Sequence, residues 1–211
     1  MKAKLSSSLP RRGVIISGAH GMGNIGDEAA LGGILSDLRS LDPSMPICVL
    51  SRNPKETAAK HAVESLHSFN LPALWRHLRS CALFISGGGT LIQDISSTRS
   101  LLYYLFCLRL AKARGCATMM YGCGIGPVTG EGNRKQTASV LEDCVDLITL
   151  RDRESLETLR SFGVQTPRVR ITADPALLME GDASAAQRYL QQSGLNLQGH
   201  YSLFVLRPWD G

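Results

Sequence analysis

The chain has 211 residues, of which 44% are hydrophobic, and it carries a formal net charge of +5. This composition allows a full buried core and excludes an intrinsically disordered class. The basic residues are scattered and not interleaved with aromatic residues, which argues against a nucleic-acid-binding protein. No apolar run approaches the length of a bilayer span, so we expect no transmembrane segment.

The N-terminal residues and the cysteines bear on the cellular compartment. The first 13 residues include basic side chains but lack the apolar stretch of a signal peptide. The six cysteines form no C-x-x-C pair and have no histidine at metal-ligand spacing. We therefore expect a cytoplasmic protein with reduced thiols and no bound metal.

Short apolar runs alternate with helical segments from residue 14 to about residue 171. The predicted strands lie at residues 14–17, 47–50, 82–85, 117–120, 147–150 and 169–171, with a short connecting strand near 65–69. The first predicted helix begins near residue 27. The others cover residues 54–64, 71–78, 101–114, 136–144 and 154–162. Continuous apolar strands separated by helices predict an α/β fold with a doubly wound, Rossmann-like parallel sheet.

The C-terminal segment differs from this pattern in composition. Residues 181–200 are polar and rich in Gln and Ser, which indicates a linker around a short helix. Residues 201–206 (YSLFVL) are typical of one more strand. We therefore expect a first domain at residues 1–180, a linker at 181–200 and the start of a truncated second domain at 201–211.

The first glycine-rich loop follows the first predicted strand. Residues 21–26 (GMGNIG) match the dinucleotide-binding pattern G-x-G-x-x-G. However, Gly18, Ala19 and His20 separate this pattern from the strand, and Asp27 and Glu28 would repel a pyrophosphate at the helix N-terminus. A nicotinamide-dependent oxidoreductase is therefore kept as an alternative, in which Arg52 would bind a 2′-phosphate.

The second glycine-rich loop, at residues 86–90 (SGGGT), carries more information. Consecutive glycines let a backbone approach a ligand closely, because they add no side chain. Asp94 follows this loop and could act as a base or orient a sugar hydroxyl. As an alternative, Asp94 could cap the helix predicted from residue 101, a role that Ser97 or Ser100 could also fill.

Charged side chains follow two further strands. Arg151 ends a buried strand, which suggests that it binds an anion; the alternative is an ion pair with Asp152 or Glu154. His20 is a weaker candidate, because a loop histidine often has no role in the site. Because ligands of open parallel sheets bind beyond the carboxyl ends of the strands, these loops predict one site along that edge.

Five segments resemble the polysaccharide pyruvyl transferase family, and most closely its CsaB type. They are ISGAHGMGNIGDEAAL, FISGGGTLIQDISSTRSLLYY, YGCGIGP, ITLRDRESLETLRSFGV and ITADPALL, in family order across about residues 13–180. The chain departs from the family at Ala19, His20 and Met22, where the family often carries aromatic residues.

This resemblance implies the N-terminal half of a GT-B-like two-domain fold with its active site between the domains. It implies enolpyruvyl transfer from phosphoenolpyruvate to a sugar, which forms a pyruvate ketal, with no metal or further cofactor. For the CsaB type the acceptor is a lipid-linked cell-wall polysaccharide precursor at the inner membrane face, and the ketal helps to anchor surface-layer proteins.

The expected site combines these loops. We assign catalytic roles to Asp94 and Arg151 and expect the general acid to come from the second domain, so residues 1–211 alone should be inactive. The residues expected to bind substrate are Gly18, Asn24, Asp27, Gly87, Gly88, Gly89, Thr90, Arg99, Gly124, Gly126, Asp174 and Arg207. The alternatives are a GT-B glycosyltransferase that uses a nucleotide sugar and a non-catalytic binding domain for sugars or anions.

Overall fold

The computed structural model describes residues 11–165, 167–195, 202 and 204. Its strands are β1 (Val14–Ser17), β2 (Ile47–Ser51), β3 (Glu64–His67), β4 (Leu83–Gly87), β5 (Ala117–Cys123), β6 (Leu147–Leu150) and β7 (Arg168–Ile171). They form one sheet in the order β3-β2-β1-β4-β5-β6-β7, and each neighbouring pair is parallel. The predicted doubly wound α/β fold is confirmed.

The helices alternate with these strands. They are α1 (Ile25–Leu41), α2 (Pro54–His61), α3 (Leu71–His77), α4 (Thr98–Ala113), α5 (Glu131–Cys144), α6 (Arg153–Ser161), a 3₁₀ helix (Pro175–Leu178) and α7 (Ala183–Gln192). Within the described ranges, none of them combines the length and the hydropathy that a bilayer crossing requires.

Three helices begin at least two residues earlier than the sequence predicts, because residues before their apolar faces supply the first turns. Asn24 accepts a hydrogen bond from the amide of Gly26 and thereby starts α1. Ser97 accepts one from the amide of Ser100 and starts α4. Helix α5 begins directly after Gly130, five residues before its predicted start.

The core has two layers because the side chains of a strand alternate between the two faces of the sheet. Ile15 of β1 packs with Phe84 and Leu105 on the face that α4 and α5 cover. Its neighbour Ile16 packs with Leu31 and Ile34 of α1 on the opposite face. Burial on both faces explains the unbroken apolar composition of the central strands.

The edge strands are more exposed than the central ones. In β3 and β7 no residue is fully buried, whereas every residue of β1 and β2 is. β3 begins and ends earlier than predicted, because the amide of Asn70 bonds to the carbonyl of His67 and turns the chain there. β3 is thus an edge strand of the main sheet.

The order of the strands fixes where a ligand can bind. β2 and β4 flank β1 on opposite sides, so the crossover from β1 leads to one side and β4 continues the sheet on the other. The loops after β1 and β4 therefore leave the sheet in different directions and open a crevice at its carboxyl edge. This switch point is the usual ligand site of such sheets.

The chain divides into two compact units, with the boundary between Met179 and Glu180. Helix α7 lies in the second unit, within the segment predicted as a linker around a short helix. The strand predicted at residues 201–206 lies outside the described residues, apart from Ser202 and Phe204. The proposed second domain stays a prediction.

Candidate functional site

The loops after β4 and β5 are joined to each other at the carboxyl edge. The amide of Gly124 donates to the carbonyl of Gly89 at 3.0 Å, and the amide of Gly126 donates to that of Ile92 at 2.9 Å. Ile92 and Ile125 also form an isolated parallel bridge. The pairing of β4 and β5 thus continues beyond the strands and forms one floor from the two predicted glycine loops.

Two of these glycines allow charged groups to approach the floor. Gly89 has a φ of +68°, and a Cβ there would lie 2.7 Å from Oδ1 of Asp27. A Cβ on Gly124 would lie 2.6 Å from Oγ1 of Thr90 and 3.2 Å from Nε of Arg151. The absence of side chains therefore lets Asp27, in the first turn of α1, and Arg151, directly after β6, reach the floor.

Arg151 joins three of the predicted site residues into one cluster. Its Nη1 donates to Oδ2 of Asp174 at 2.8 Å, and its Nη2 donates to Oγ1 of Thr90 at 3.0 Å. Its Nε lies 3.6 Å from Oδ2 of Asp152. The side chain is 33% exposed, so the guanidinium is held in place but remains accessible from solvent. We call Thr90, Gly124, Arg151 and Asp174 the Arg151 cluster.

The two carboxylates beside Arg151 have separate tasks. Oδ1 of Asp174 accepts from the amide of Ala176 and caps the 3₁₀ helix. Oδ1 of Asp152 accepts from the amide of Ser155 and caps α6, and this bond lowers the pKa of Asp152. The main partner of Arg151 is therefore Asp174; the alternative pairing with Asp152 is present at a longer distance.

Asp94 links the loop after β4 to the start of α5. Its Oδ1 accepts from the amide of Thr129 at 2.8 Å, and its Oδ2 accepts from the amide of Gly130 at 3.1 Å and from Nδ2 of Asn133 at 2.8 Å. These bonds lower the pKa of Asp94 to about 2, and the bond from Asn133 contributes most, followed by that from Thr129. Asp94 does not cap α4, which was the alternative from the sequence; Ser97 does.

The loop after β1 satisfies its own amides. The carboxylate of Glu28 accepts from the amide of Gly21 at 2.9 Å and lies 3.3 Å from Nε2 of His61 and 3.4 Å from Nζ of Lys60. Burial raises the pKa of Glu28, but these partners outweigh it and the pKa is lowered. Asn24 uses its side chain to cap α1. These contacts add to the argument against a pyrophosphate at residues 21–26.

Three of the predicted glycines are packing positions rather than ligand contacts. A Cβ on Gly87 would lie 2.7 Å from Cδ1 of Ile34, so this glycine packs against α1. A Cβ on Gly18 would lie 2.4 Å from Nε2 of His20. Gly88 packs near Ala30 and the same histidine ring.

His20 is fully buried at the switch point. Neither ring nitrogen has a partner of hydrogen-bond geometry, although the carbonyl of Asp27 weakly favours the protonated ring. Burial lowers the pKa of His20 to about 4, so the ring is neutral at physiological pH. His20 therefore packs between the loops after β1 and β4, whereas the sequence analysis treated it as a weak candidate.

A cavity of about 250 Å³ lies beside the switch point, and we call it the arginine pocket. Its walls are formed by Gly18, Ala19, Met22, Arg52, Ser68, Phe69, Ser97, Arg99, Ser100, Tyr103 and Tyr104. Arg99 is a predicted site residue, whereas the aromatic residues Phe69 and Tyr103 were not identified from the sequence. Phe69 lies two residues after β3, so assigning β3 to the sheet would have placed Phe69 at the carboxyl edge. Arg207, also a predicted site residue, lies outside the described part of the chain.

Two larger cavities, of about 410 Å³ each, differ in charge. One lies between α1 and α2, and its basic residues Lys60 and His61 both contact the carboxylate of Glu28. The other is lined by Asp37 and Asp174 and by no basic residue. Of these three cavities, only the arginine pocket combines two basic side chains with no acidic one.

A group of possible metal ligands lies at the opposite edge of the sheet. One ligand atom from each of Cys48, Glu64 and His77 lies within 4.8 Å of the others. Nε2 of His77 is 2.7 Å from Oε1 of Glu64, and burial raises the pKa of the Cys48 thiol to about 12. The ion pair accounts for two of the three side chains, and the group has no link to the carboxyl edge.

Three solved structures have the same fold. HepE (Alr3699) of Anabaena, solved with UDP-glucose, matches 86% of this chain with a TM-score of 0.54 and 11% identity. The same protein solved with UDP, and with UDP and glucose, matches 86% and 87% with a TM-score of 0.52 and 9% identity in each case. The chain spans about half the length of these GT-B-like structures, since it covers 50% of each.

The family is shown by sequence. No curated protein matches the chain. The family model described as polysaccharide pyruvyl transferase matches residues 24–206, which is most of its length. This range contains the joined glycine loops, the Arg151 cluster and Asp94. The chain therefore belongs to the polysaccharide pyruvyl transferase family.

Proposed function

We propose that the protein transfers an enolpyruvyl group from phosphoenolpyruvate to a sugar and forms a cyclic pyruvate ketal. The observation that carries this proposal is the family match over residues 24–206. The site supports it, because its loops place a partly exposed guanidinium and several carboxylates along one edge of the sheet. As a finer proposal, the protein is of the CsaB type and acts in the cytoplasm, at the inner membrane face, on a lipid-linked precursor.

The proposed reaction makes two carbon–oxygen bonds at C2 of phosphoenolpyruvate. The methylene carbon gains a proton and becomes a methyl group, while two sugar hydroxyls bond to C2. The C2–O bond to phosphate breaks, and inorganic phosphate leaves with the second hydroxyl proton. Positive charge develops at C2, so fixed groups that stabilise charge and hold the carboxylate and phosphate should accelerate the reaction.

We assign anion binding to Arg151. Asp174 and Thr90 hold its guanidinium at the floor, so it needs little reorganisation when an anion arrives. Two neighbouring carboxylates reduce its net charge, and we expect further cationic groups from elsewhere in the protein to complete the donor site. Asp27, brought to the floor beside Gly89, would orient a sugar hydroxyl.

We assign a positioning role to Asp94. Its carboxylate already accepts four hydrogen bonds, from Thr129, Gly130 and Asn133. A carboxylate with a pKa of about 2 is a weak base toward a sugar hydroxyl. We therefore favour a role in which Asp94 holds the loop after β4 against the start of α5 over the base role predicted from the sequence.

The decisive test measures phosphate released from phosphoenolpyruvate by the purified protein. The acceptor is a short glycan of N-acetylmannosamine on a lipid diphosphate, and product mass should rise by one pyruvate ketal. Release that depends on the acceptor and on Arg151 supports the proposal. No release with active, folded protein and a panel of such acceptors would exclude it.

Glycosyl transfer from a nucleotide sugar is the second candidate. It is favoured by the likeness to HepE, which was solved with UDP-glucose. Because that likeness at 11% identity concerns the fold alone, it carries less weight than the family match. Protection of the protein against thermal unfolding by UDP-glucose, and not by phosphoenolpyruvate, would favour this candidate.

A further inference from the structure

The arginine pocket is lined by two arginines and by no carboxylate. Arg52 follows β2 and Arg99 lies in the first turn of α4, and both line the same cavity. No Asp or Glu lines this cavity, and neither guanidinium forms an ion pair with any described residue. By contrast, Arg151 is bonded to Asp174 and lies near Asp152. Both basic side chains of the arginine pocket therefore lack a carboxylate partner among the described residues.

The start of α4 adds to this charge. The helix has 16 residues, and its first turn contains no acidic residue. Helix α1, which also begins at the switch point, has Asp27 and Glu28 in its first turn. Of these two helices, only α4 has no carboxylate in its first turn to offset the positive end of the helix dipole. Arg99 adds a full positive charge at the same place.

The wall of the pocket is aromatic. Cζ of Arg52 lies 4.6 Å from the centre of the Phe69 ring, and the ring of Tyr103 meets Phe69 edge-on at 5.1 Å. A guanidinium stacked on a ring keeps its N–H groups at its edge, where they can bind a planar or tetrahedral anion. Phe69 is 55% exposed, which leaves apolar surface for the carbon face of a sugar ring.

The size of the pocket restricts what it can hold. Its volume of about 250 Å³ lies below the range of roughly 300–1,000 Å³ that is typical of pockets for whole small molecules. It would therefore accommodate one anionic group and an adjoining ring, while the rest of a larger ligand extends outward. One guanidinium is enough to bind both oxygens of a carboxylate, whereas a phosphate group has enough oxygens to accept hydrogen bonds from both arginines.

We propose that the arginine pocket binds a phosphate group attached to the sugar acceptor, through Arg52 and Arg99. This inference rests on the proposed function, because it locates in the arginine pocket the phosphate of the lipid-linked acceptor that the proposed function assumes. Phosphoenolpyruvate, the other phosphate-bearing substrate, binds at the Arg151 cluster. The two anions thereby occupy separate parts of the carboxyl edge.

Isothermal titration of the 211-residue chain tests this assignment with glucose 1-phosphate, glucose and phosphoenolpyruvate as probes. Glucose 1-phosphate should bind at least tenfold more tightly than glucose. Arg52→Gln and Arg99→Gln should each weaken it by about 10- to 100-fold, as expected for loss of a charge-assisted hydrogen bond. The matched control Arg109→Gln removes an exposed charge ten residues further along α4 and should change affinity less than twofold.

The phosphoenolpyruvate titration separates the two possible sources of phosphate. Its affinity should be unchanged in Arg52→Gln and Arg99→Gln. An equal loss of phosphoenolpyruvate binding would make this the donor site and overturn the proposal, as would glucose 1-phosphate binding that ignores both variants. Thermal midpoints within about 2 °C of the wild type show that the variants are folded, and one folded variant of the two suffices.

Failure of the proposed function would look different. In that case the intact protein releases no phosphate from phosphoenolpyruvate, whereas the titrations report on the pocket independently of turnover. If the protein binds glucose 1-phosphate in the arginine pocket but does not transfer pyruvyl groups, the pocket is still an anion site. Only the assignment of that anion to the acceptor of pyruvyl transfer would then be wrong.

Discussion

The guanidinium of Arg151 donates to the carboxylate of Asp174 at 2.8 Å, across the ends of the neighbouring strands β6 and β7. The same guanidinium reaches Thr90 in the loop after β4, on the other side of β5. One side chain therefore connects three of the loops at the carboxyl edge. Its orientation depends on a planar group that donates in two directions at once.

Replacing Arg151 by lysine should lower pyruvyl transfer by about 10- to 100-fold. Lysine keeps the charge, but one ammonium group cannot reproduce the fork that joins Asp174 and Thr90, and the lost bonds are worth about 1.5–3 kcal/mol. The measurement is the initial rate of phosphate release from phosphoenolpyruvate. The control Arg170→Lys alters an exposed arginine of β7 and should leave the rate unchanged. A fully active Arg151→Lys protein would contradict the role assigned to this cluster.

The sequence predicts the sheet well because buried parallel strands leave a clear pattern of continuous apolar runs. The runs at residues 14–17 and 147–150 coincide with β1 and β6. Edge strands leave a weaker pattern, since β3 (ESLH) is half exposed, and its boundaries were displaced. The starts of α1 and α4 were placed too late, because hydrogen bonds accepted by the side chains of Asn24 and Ser97, rather than apolar periodicity, determine them.

The site was predicted less completely than the fold. Position at the carboxyl edge follows from strand order, so Thr90, Arg151 and Asp174 could be assigned to one region. Their pairing could not, because it depends on distances between loops far apart in sequence. The burial of His20 was missed for the same reason, since it results from contact between the loops after β1 and β4.

Replacing Asp94 by alanine should lower the free energy of unfolding in a way that depends on pH. The folded-state pKa of about 2 lies below the ordinary value of 3.8. The stabilisation by ionised Asp94 is therefore present above about pH 4 and is lost as the pH falls toward 2. Urea unfolding at pH 7, 5 and 3 should show a difference between wild type and variant that is constant at pH 7 and 5 and smaller at pH 3.

The control for this prediction is Glu157→Ala, which removes an exposed carboxylate from α6. Its stability difference from the wild type should be small at each of the three pH values. A difference for Asp94→Ala that does not change with pH would show that the loop does not depend on the ionised carboxylate.

Replacing Asp94 by asparagine separates positioning from base catalysis. The amide oxygen can still accept from Thr129, whereas the amide nitrogen would face the donors of Gly130 and Asn133. We expect the loop to loosen but stay in place, so that the rate falls by less than about tenfold. Loss of a general base would instead lower the rate by about 10²- to 10⁴-fold. The measurement is kcat between pH 5 and 9, and the larger loss would restore the base role.

Replacing His20 by methionine should remove a pH dependence from stability. The folded-state pKa of about 4 lies below the ordinary value of 6.5, so the neutral ring contributes fully above pH 6.5. As the pH falls from 6.5 toward 4, the unfolded chain binds the proton first and the folded state loses stability, by at most about 3 kcal/mol. Urea unfolding at pH 7.5 and 4.5 should show a smaller change in the variant.

The exposed histidine His67 supplies the matched control. His67→Gln should retain the full loss of stability between pH 7.5 and 4.5. If His20→Met lost as much stability as the wild type over this range, His20 would not be the buried neutral group that the structure indicates.

Replacing Gly124 by alanine tests the close approach on which the Arg151 cluster depends. The added Cβ would lie 2.6 Å from Oγ1 of Thr90 and 3.2 Å from Nε of Arg151, so both side chains must move. Overpacking of this kind costs about 1–3 kcal/mol and should lower the thermal midpoint, and the displaced guanidinium should lower the rate of phosphate release.

Gly132→Ala is the control, because a Cβ in that part of α5 meets nothing within 4 Å. It should leave the rate unchanged and stabilise the helix by up to about 1 kcal/mol. Equal rates for the two variants would mean that Arg151 does not have to stay where Gly124 admits it, and its role at the floor would then have to be abandoned.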